Sequence, residues 1–388
     1  MRLKYEYLGK YVRLTDERNS DMLTDTVLGI SIDKFFMPSV ANVIGTDLGN
    51  YKLLRKGRFA CNPMHVGRDG RLPVARYSEK ALAIVSPAYY MFEISDEDEI
   101  DPEYLMLCFR HPDFDRMCWF RTDASVRGGI TWEDVCALPI PVPPIAEQRK
   151  IAHEYQIVTD RIMLLKRINE NLEAQIMTIY RKLFDADDAF HEGVVADLGE
   201  VVGGATPSTD NPDYFCKKGI VWLSPKDLTG TGLKFIFQGE TDITEAGYNS
   251  CSTKKVPPGT VLLTSRAPVG AVAIAMKELC TNQGFKSIVP KASFWTSYVY
   301  CLLKDKKQLI EANASGTTFL EISGDTLKKL VVPIPDDKLA KEFSETCAPF
   351  FKQQVLFEQE IATLLKMEAF VISSMNYPNA GNSKTAPV

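Results

Sequence analysis

The chain is poor in the patterns that build metal sites, disulfide frameworks and membrane spans. Its nine cysteines are scattered without a Cys-x-x-Cys pair, and only four histidines occur in 388 residues. Such usage favours reduced thiols over disulfides or a structural zinc site. No apolar run approaches a membrane span, and the first residues lack the apolar core of a secretory signal. We therefore expect a cytoplasmic protein without a metal site or membrane contact.

Recognisable catalytic motifs are also lacking. Gly203-Gly204 and Gly230-x-Gly232 are isolated and do not form a phosphate-binding loop. The segment Thr264-Ser265-Arg266 lacks the flanking glycines of a nucleophile elbow. Adjacent carboxylates at 187–188 and 336–337 would point to opposite faces of an extended segment. These observations favour a non-enzymatic chain with no catalytic residues.

Positive charge is slightly outnumbered by negative charge overall but is concentrated locally. The formal net charge is −5, which argues against a protein that coats nucleic acid unaided. Between Lys52 and Lys80, however, eight basic residues are opposed in the local sequence by only Asp69 and Glu79. Six acidic residues follow within 96–103. Such a domain could be oriented on a polyanion, and an unevenly charged solvated surface is the alternative.

A long helix with a coiled-coil seam is predicted after the proline-rich segment 139–144. The prolines favour an extended connector, and the helix begins near Ile145. Seam positions then recur at alternating spacings of four and three, with Asn169 as the polar interruption. The seam residues are Ile151, Tyr155, Val158, Ile162, Leu165, Asn169, Leu172, Ile176, Ile179 and Leu183.

The same pattern returns 192 residues later, which predicts an internal tandem repeat. Val332-Pro333-Ile334-Pro335 repeats the residues 140–143, and Ile322-Ser323 repeats Ile130-Thr131. A second seam follows, interrupted by the polar residues Gln354 and Glu368. Its members are Phe343, Cys347, Phe350, Gln354, Phe357, Ile361, Leu364, Glu368, Val371 and Met375. The two helices are expected to pair with each other.

Short apolar segments bounded by turn residues predict an α+β fold in each repeat, with mixed strands and helices. Two similar globular domains are thus expected, separated by two long antiparallel coiled-coil helices. The predicted boundaries are 1–142 for the first domain, 143–185 for the central helix, 186–335 for the second domain, 336–376 for the C-terminal helix and 377–388 for a flexible tail.

Several stretches resemble the specificity subunits of type I restriction–modification systems. The helix start Pro143-Pro144-Ile145-Ala146-Glu147-Gln148-Arg149 resembles that family's central conserved region. In the second domain, 203–208, Asn282-Gln283-Gly284-Phe285-Lys286 and 315–323 are similar to its usual pattern. In the first, Arg55-Lys56-Gly57, Asn62-Pro63-Met64 and 85–89 resemble the corresponding domain. The second helix start departs from the pattern, because the segment Pro335-Asp336-Asp337-Lys338 lacks the Glu-Gln-Arg sequence.

The resemblance implies that each domain is a target recognition domain for one half of a bipartite double-stranded DNA target. The helices would set the spacing and dock two modification (methyltransferase) subunits, and restriction or motor subunits would complete the complex in a bacterial or archaeal cytoplasm. This chain would hold no cofactor, whereas S-adenosylmethionine, ATP and Mg²⁺ would bind the partners.

Asn and Gln pair with adenine, Arg and Lys with guanine, and Ser and Thr with bases or phosphates, although the same residues dominate ordinary turns. The candidate DNA contacts are Arg55, Lys56, Arg58, Asn62, Arg68, Arg71, Arg76, Thr206, Ser208, Ser224, Lys226, Arg266, Asn282, Gln283, Lys286, Thr317 and Thr318.

Two other classes of function stay open at this point. A free-standing enzyme would show methyl transfer or cleavage by the isolated chain. A protein-interaction scaffold would bind methyltransferase subunits without retaining DNA in a sequence-selective way.

Overall fold

The computed structural model describes residues 5–40, 43, 45–122, 128–184, 190–230, 232–266, 268–316, 320–375 and 377. The chain divides into two compact units. The first unit comprises Met1–Ile162 and Thr363–Val388, and the second comprises Met163–Ala362. Each unit therefore contains one globular domain and a part of both long helices.

Within its described residues, the first unit has ten short strands and four short α-helices before the first long helix. The strands are β1 (Tyr5–Tyr7), β2 (Val12–Leu14), β3 (Leu28–Ile30), β4 (Phe36–Pro38), β5 (Lys52–Leu54), β6 (Phe59–Cys61), β7 (Val74–Arg76), β8 (Ala83–Val85), β9 (Tyr90–Ile94) and β10 (Pro139–Pro141). The helices are α1 (Val66–Asp69), α2 (Pro102–Arg110), α3 (Pro112–Phe120), α4 (Trp132–Cys136) and the long α5 (Ile145–Phe184).

An antiparallel sheet in the order β2-β9-β6-β7 forms the centre of the first unit. Its buried face carries Phe59 and Phe92, which stack with ring centroids 5.2 Å apart, and Phe109 of α2 meets Phe59 edge-on. Helix α2 is capped by Asp101, whose side chain accepts hydrogen bonds from the Glu103 and Tyr104 backbone N–H groups. The sheet and α2 thus share one apolar core.

The second unit has the same mixed texture. Its strands are β11 (Phe190–Val194), β12 (Gly199–Gly203), β13 (Phe215–Cys216), β14 (Ile220–Leu223), β15 (Phe235–Ile236), β16 (Thr241–Ile243), β17 (Val261–Leu263), β18 (Val272–Ala275), β19 (Cys280–Thr281), β20 (Lys286–Pro290) and β21 (Val331–Pro335). Its helices are α6 (Pro225–Thr229), α7 (Glu245–Asn249), α8 (Trp295–Asp305), α9 (Lys307–Ala312), α10 (Gly324–Lys328) and the long α11 (Asp337–Ser373).

A sheet in the order β12-β20-β17-β18-β15 packs against α8 in this unit. The core is rich in large aromatic side chains, of which Trp295 and Tyr298 of α8 are fully buried. A second sheet has the order β13-β16-β14-β19, and its strands β14 and β19 lead directly into the predicted contact residues Ser224 and Asn282. The expected α+β fold is confirmed.

Equivalent hydrogen bonds show the duplication directly. The Tyr104 hydroxyl donates to the Pro141 carbonyl in the first unit, and the Tyr298 hydroxyl donates to the Pro333 carbonyl in the second. The repeated dipeptides also match, since Thr131 caps α4 and Ser323 caps α10 through their hydroxyl oxygens. In each unit the strand before a long helix pairs antiparallel with the first strand of that unit. One frame has therefore been built twice.

The two long helices pack together in each unit. In the second unit, Gln354 of α11 reaches Asn169 of α5, while Phe343 of α11 lies beside Phe184 near the other end of α5. Increasing numbers in one helix thus meet decreasing numbers in the other, so the helices are antiparallel. All predicted seam residues are buried or half-buried. Helix α11 continues through Pro349. Proline usually interrupts a helix, and the sequence analysis did not consider this residue.

The predicted flexible tail begins too early at residue 377. Tyr377 is only 7 % exposed and its hydroxyl donates to the Cys108 carbonyl at 3.0 Å. Its ring stacks on His111 at a centroid distance of 4.5 Å. An aromatic side chain that buries both its ring and its hydroxyl belongs to the core of the first unit.

Candidate nucleic-acid interface

The basic segment of the first domain is largely paired with carboxylates from elsewhere in that domain. Arg55 and Arg58 both bind Glu17, each with a closest approach of 2.6 Å. The hydrogen bond from Arg55, aided by Arg58, lowers the pKa of Glu17 to about 2. The other arginine candidates have the partners Asp69 for Arg68, Asp33 for Arg71 and Glu103 for Arg76. The local sequence therefore overstated the positive charge of this surface.

The remaining first-domain candidates differ in their surroundings. Lys56 is exposed, whereas Asn62 is half-buried and its side-chain oxygen accepts the backbone N–H of Met64 at 3.1 Å. Arg58 is largely buried and also donates to the Leu53 carbonyl. Arg58 therefore holds the turn between β5 and β6 in place, whether or not it also contacts DNA.

In the second domain, separate loops meet around the segment 281–284. The backbone N–H of Asn282 donates to the Leu223 carbonyl at 2.8 Å, next to α6. Ser265 donates its N–H to the Gly284 carbonyl at 2.7 Å, and Ile322 donates to the Ser265 carbonyl at 3.0 Å. Stretches distant in sequence are brought together in this way, as the sequence analysis could not show.

Gln283 stands at the exposed apex of this segment. The Thr206 hydroxyl donates to Gln283 Oε1, which orients the side-chain amide. Below the apex, Asn282 Oδ1 accepts the Gly284 N–H at 2.8 Å. A Cβ atom at Gly284 would lie 2.7 Å from the Pro225 side chain, so only glycine fits without displacement. The apex amide is therefore presented on a firmly held turn.

Cations and hydroxyls surround the apex. Lys226 is 78 % exposed at the start of α6 and approaches Glu240 at 3.1 Å. Lys286 lies 3.7 Å from Glu321, whose backbone also bridges to Arg266. The two candidate serines differ in their surroundings. Ser208 is exposed, whereas the Ser224 hydroxyl donates to Asp227 at the N-terminal cap of α6. Thr317 and Thr318 lie outside the described residues.

The first domain has the same turn with a different apex. Ser86 Oγ accepts the Ala88 N–H at 3.3 Å, as Asn282 Oδ1 does for Gly284. Both turns directly precede the strand that pairs with β2 or β12. Pro87 therefore occupies the position of Gln283. The sequence analysis had noted both segments without recognising that they correspond.

Nothing in the described ranges suggests a metal centre or a membrane span. No group of three His, Cys, Asp or Glu residues there is arranged to hold a metal ion. None of the helices within those ranges is long and apolar enough to cross a bilayer.

The duplicated domain, the paired long helices and the polar loop surface define a two-domain recognition protein. Residues 190–367 match the family model described as the type I restriction modification DNA specificity domain. Residues 190–367 therefore contain a domain of the type I restriction–modification specificity family, as the residue patterns predicted.

Curated relatives are similar in sequence, and a solved structure is similar in fold. The MjaIX specificity subunit of Methanocaldococcus jannaschii is 41 % identical over 158 residues, which cover 40 % of this chain and 36 % of that subunit. The putative MjaX specificity subunit of the same organism is 25 % identical over 83 % of this chain and 79 % of its own length. The crystal structure of the S subunit from M. genitalium superposes with a TM-score of 0.59 over 97 % of both chains, at 13 % identity, which supports the fold.

Proposed function

We propose that this chain is the DNA-recognition subunit of a type I restriction–modification complex and reads a bipartite double-stranded target. The first domain would recognise one half and the second domain the other. The observation that carries the proposal is the repeated turn, which presents Pro87 in one domain and Gln283 in the other on equivalent frames. Equivalent frames with different apex residues suit one binding geometry and two different sequences.

Partner subunits would dock on the long helices. The helices of the first unit expose Ile157, at 56 %, and Phe370, at 70 %, and α11 in the second unit exposes Leu356 at 51 %. Such exposed apolar side chains are available for contact with another protein. We propose two modification subunits there, with S-adenosylmethionine on those subunits and ATP and Mg²⁺ on restriction or motor subunits.

The chemistry of methyl transfer would then belong to the partners. The loop surface of the second domain offers amides, hydroxyls and ammonium groups, which recognise base edges and phosphates. A chain with net charge −5 gains the affinity that it lacks from partners that also hold the DNA.

Methylome sequencing tests the proposal. Cells that produce the modification subunits with this chain are compared with cells that produce the modification subunits alone. We expect one methylated motif with two defined halves and an undefined spacer, present only with this chain. The same motif without the chain would overturn the proposal. A stable complex without sequence-selective methylation would instead identify a scaffold.

A further inference from the structure

The second unit buries a charged side chain between its globular domain and both long helices. Lys234 precedes β15 and is only 7 % exposed. Its ammonium group donates to Glu173 Oε2 of α5 at 2.8 Å and to Gln354 Oε1 of α11 at 2.9 Å. One residue of the recognition domain is thereby bonded to both helices.

Helix α11 also holds the backbone at this position. The two carboxylate oxygens of Glu358 accept the N–H groups of Lys234 and Phe235 at 3.0 and 2.9 Å. Aromatic rings enclose the ammonium group, with the Phe351 centroid 3.8 Å and the Tyr300 centroid 4.2 Å away. Cation–π contacts and hydrogen bonds offset part of the cost of burying this charge, and burial still lowers the pKa of Lys234.

Glu173 ties a further element to the same point. It accepts the Tyr300 hydroxyl at 2.9 Å and the Lys304 ammonium group at 2.7 Å, both from α8. Strand β15, α8, α5 and α11 therefore meet at one carboxylate and one ammonium group. We call Lys234, Glu173, Gln354, Glu358 and Lys304 the second joint.

The first unit also has a smaller hydrogen-bonded cluster that connects its domain to both long helices. Arg110 is the last residue of α2, the counterpart of α8, and donates to the Tyr155 hydroxyl of α5 at 3.0 Å. That hydroxyl donates to Glu368 Oε1 of α11 at 2.5 Å. Arg110, Tyr155 and Glu368 form the first joint. Each unit thus bonds its domain to both long helices, through different residues at different positions.

We infer that the two joints fix each recognition domain on the long helices, so that Lys234, Glu173 and Glu368 are positioning residues for half-site spacing. Apolar packing is non-directional and tolerates small sliding movements. A buried hydrogen-bonded charge has one favourable geometry and therefore selects one placement. The inference rests on the proposed function, since spacing has meaning only for a bipartite target.

The test uses the full chain with its modification subunits and a library of targets. Both half-sites are kept, and the spacer is varied by one base pair in either direction. The ratio of methylation at the native spacer to methylation at the altered spacers is measured for the wild type and for Lys234→Met. Lys254→Met is the matched control, because Lys254 forms an exposed pair with Glu200 in the same unit.

We expect Lys234→Met to keep both half-site sequences and to lower the spacer ratio about tenfold, the factor equivalent to one charge-assisted hydrogen bond. Lys254→Met should keep the wild-type ratio. A folded Lys234→Met variant with an unchanged ratio would overturn the inference. If Lys234→Met does not fold, Glu173→Gln and Glu368→Leu are tested instead, and both should lower the spacer ratio. Glu368→Gln is the conservative variant, because it retains an acceptor for the Tyr155 hydroxyl, and it should keep the wild-type ratio.

The two proposals fail in different ways. A wild type that yields no bipartite motif contradicts the proposed function. If the wild type yields a bipartite motif but the joint variants keep the full spacer preference, only the positioning role is contradicted.

Discussion

At the scale of single residues, Glu173 connects buried chemistry to a measurable pH dependence. Burial alone would raise the pKa of Glu173, but Lys234 and Lys304 together outweigh it and lower the pKa from 4.5 to about 2. A carboxyl group with a depressed pKa stabilises the fold at pH values above its unfolded-state pKa. That stabilisation is lost as the pH falls towards the folded-state pKa. The stabilisation is thus expected to disappear between pH 4.5 and about 2.

Urea unfolding of the wild type and Glu173→Gln checks this prediction. The wild type should have the higher free energy of unfolding at neutral pH. The difference between the two proteins should shrink as the pH is lowered through this window, because Gln does not titrate. A difference that stays constant with pH would show that ionised Glu173 does not stabilise the fold.

Gln283 and Lys226 should differ in the kind of recognition that they provide. Gln283→Ala is expected to relax one base pair of the second half-site by about 1–3 kcal/mol, because an oriented amide reads a base edge. Lys226→Ala should weaken binding to all sequences, since we expect its exposed ammonium group to contact phosphate. Binding of the assembled complex to single-base variants of the target measures both. Uniform weakening by Gln283→Ala would contradict its role as a reader.

The polar residues of the helix seams show how much could be predicted about single residues from the sequence. Gln354 and Glu368 were recognisable from the sequence because they interrupt an apolar heptad pattern. Their partners were not, because Lys234 and Tyr155 come from distant parts of the chain. The pairing of Arg55 with Glu17 escaped prediction for the same reason.

At the scale of elements, Asn169 is the seam position whose removal should be tolerated. Its backbone carbonyl accepts a hydrogen bond from Gln354, but its buried side-chain oxygen has no partner within the described parts of the chain. An unsatisfied buried oxygen costs stability. Asn169→Leu should therefore keep or raise the melting temperature while it loosens the register of the two helices. Thermal unfolding monitored by circular dichroism measures the melting temperature. A large loss of stability would mean that the side chain has a specific partner.

The length of α5 should control the undefined spacer of the DNA target. The helix has 40 residues and is about 60 Å long at 1.5 Å per residue. Four residues inserted near Arg167 preserve the seam approximately and lengthen the helix by about 6 Å. We expect a methylated motif with unchanged halves and a spacer longer by about one to two base pairs, given about 3.4 Å per base pair. Full methylation with an unchanged spacer would show that the helix is not the ruler.

The helices were the most predictable elements. Proline-rich segments and heptad spacing placed α5 and α11 within a few residues of their observed bounds. The short strands were less so, and β5 and β6 illustrate why. They are neighbours in sequence, yet β5 pairs with β8 and β6 pairs with β7 and β9. Long-range pairing of three-residue strands leaves little periodicity to detect.

At the scale of the whole molecule, the 192-residue repeat indicated the duplication before any coordinates were considered. It did not show that each compact unit takes parts of both long helices. That arrangement depends on side chains such as Tyr377, which the sequence analysis assigned to a flexible tail. The loops that meet at Gln283 were individually suspected, and the fold brought them together.

The central claim is that the two domains read the two halves of one target independently. The most direct measurement replaces residues 1–142 with the first domain of another family member and sequences the methylome of cells that also make the modification subunits. The account predicts a motif in which one half is exchanged and the other half is retained. A motif in which both halves change together, or in which neither changes, would contradict it.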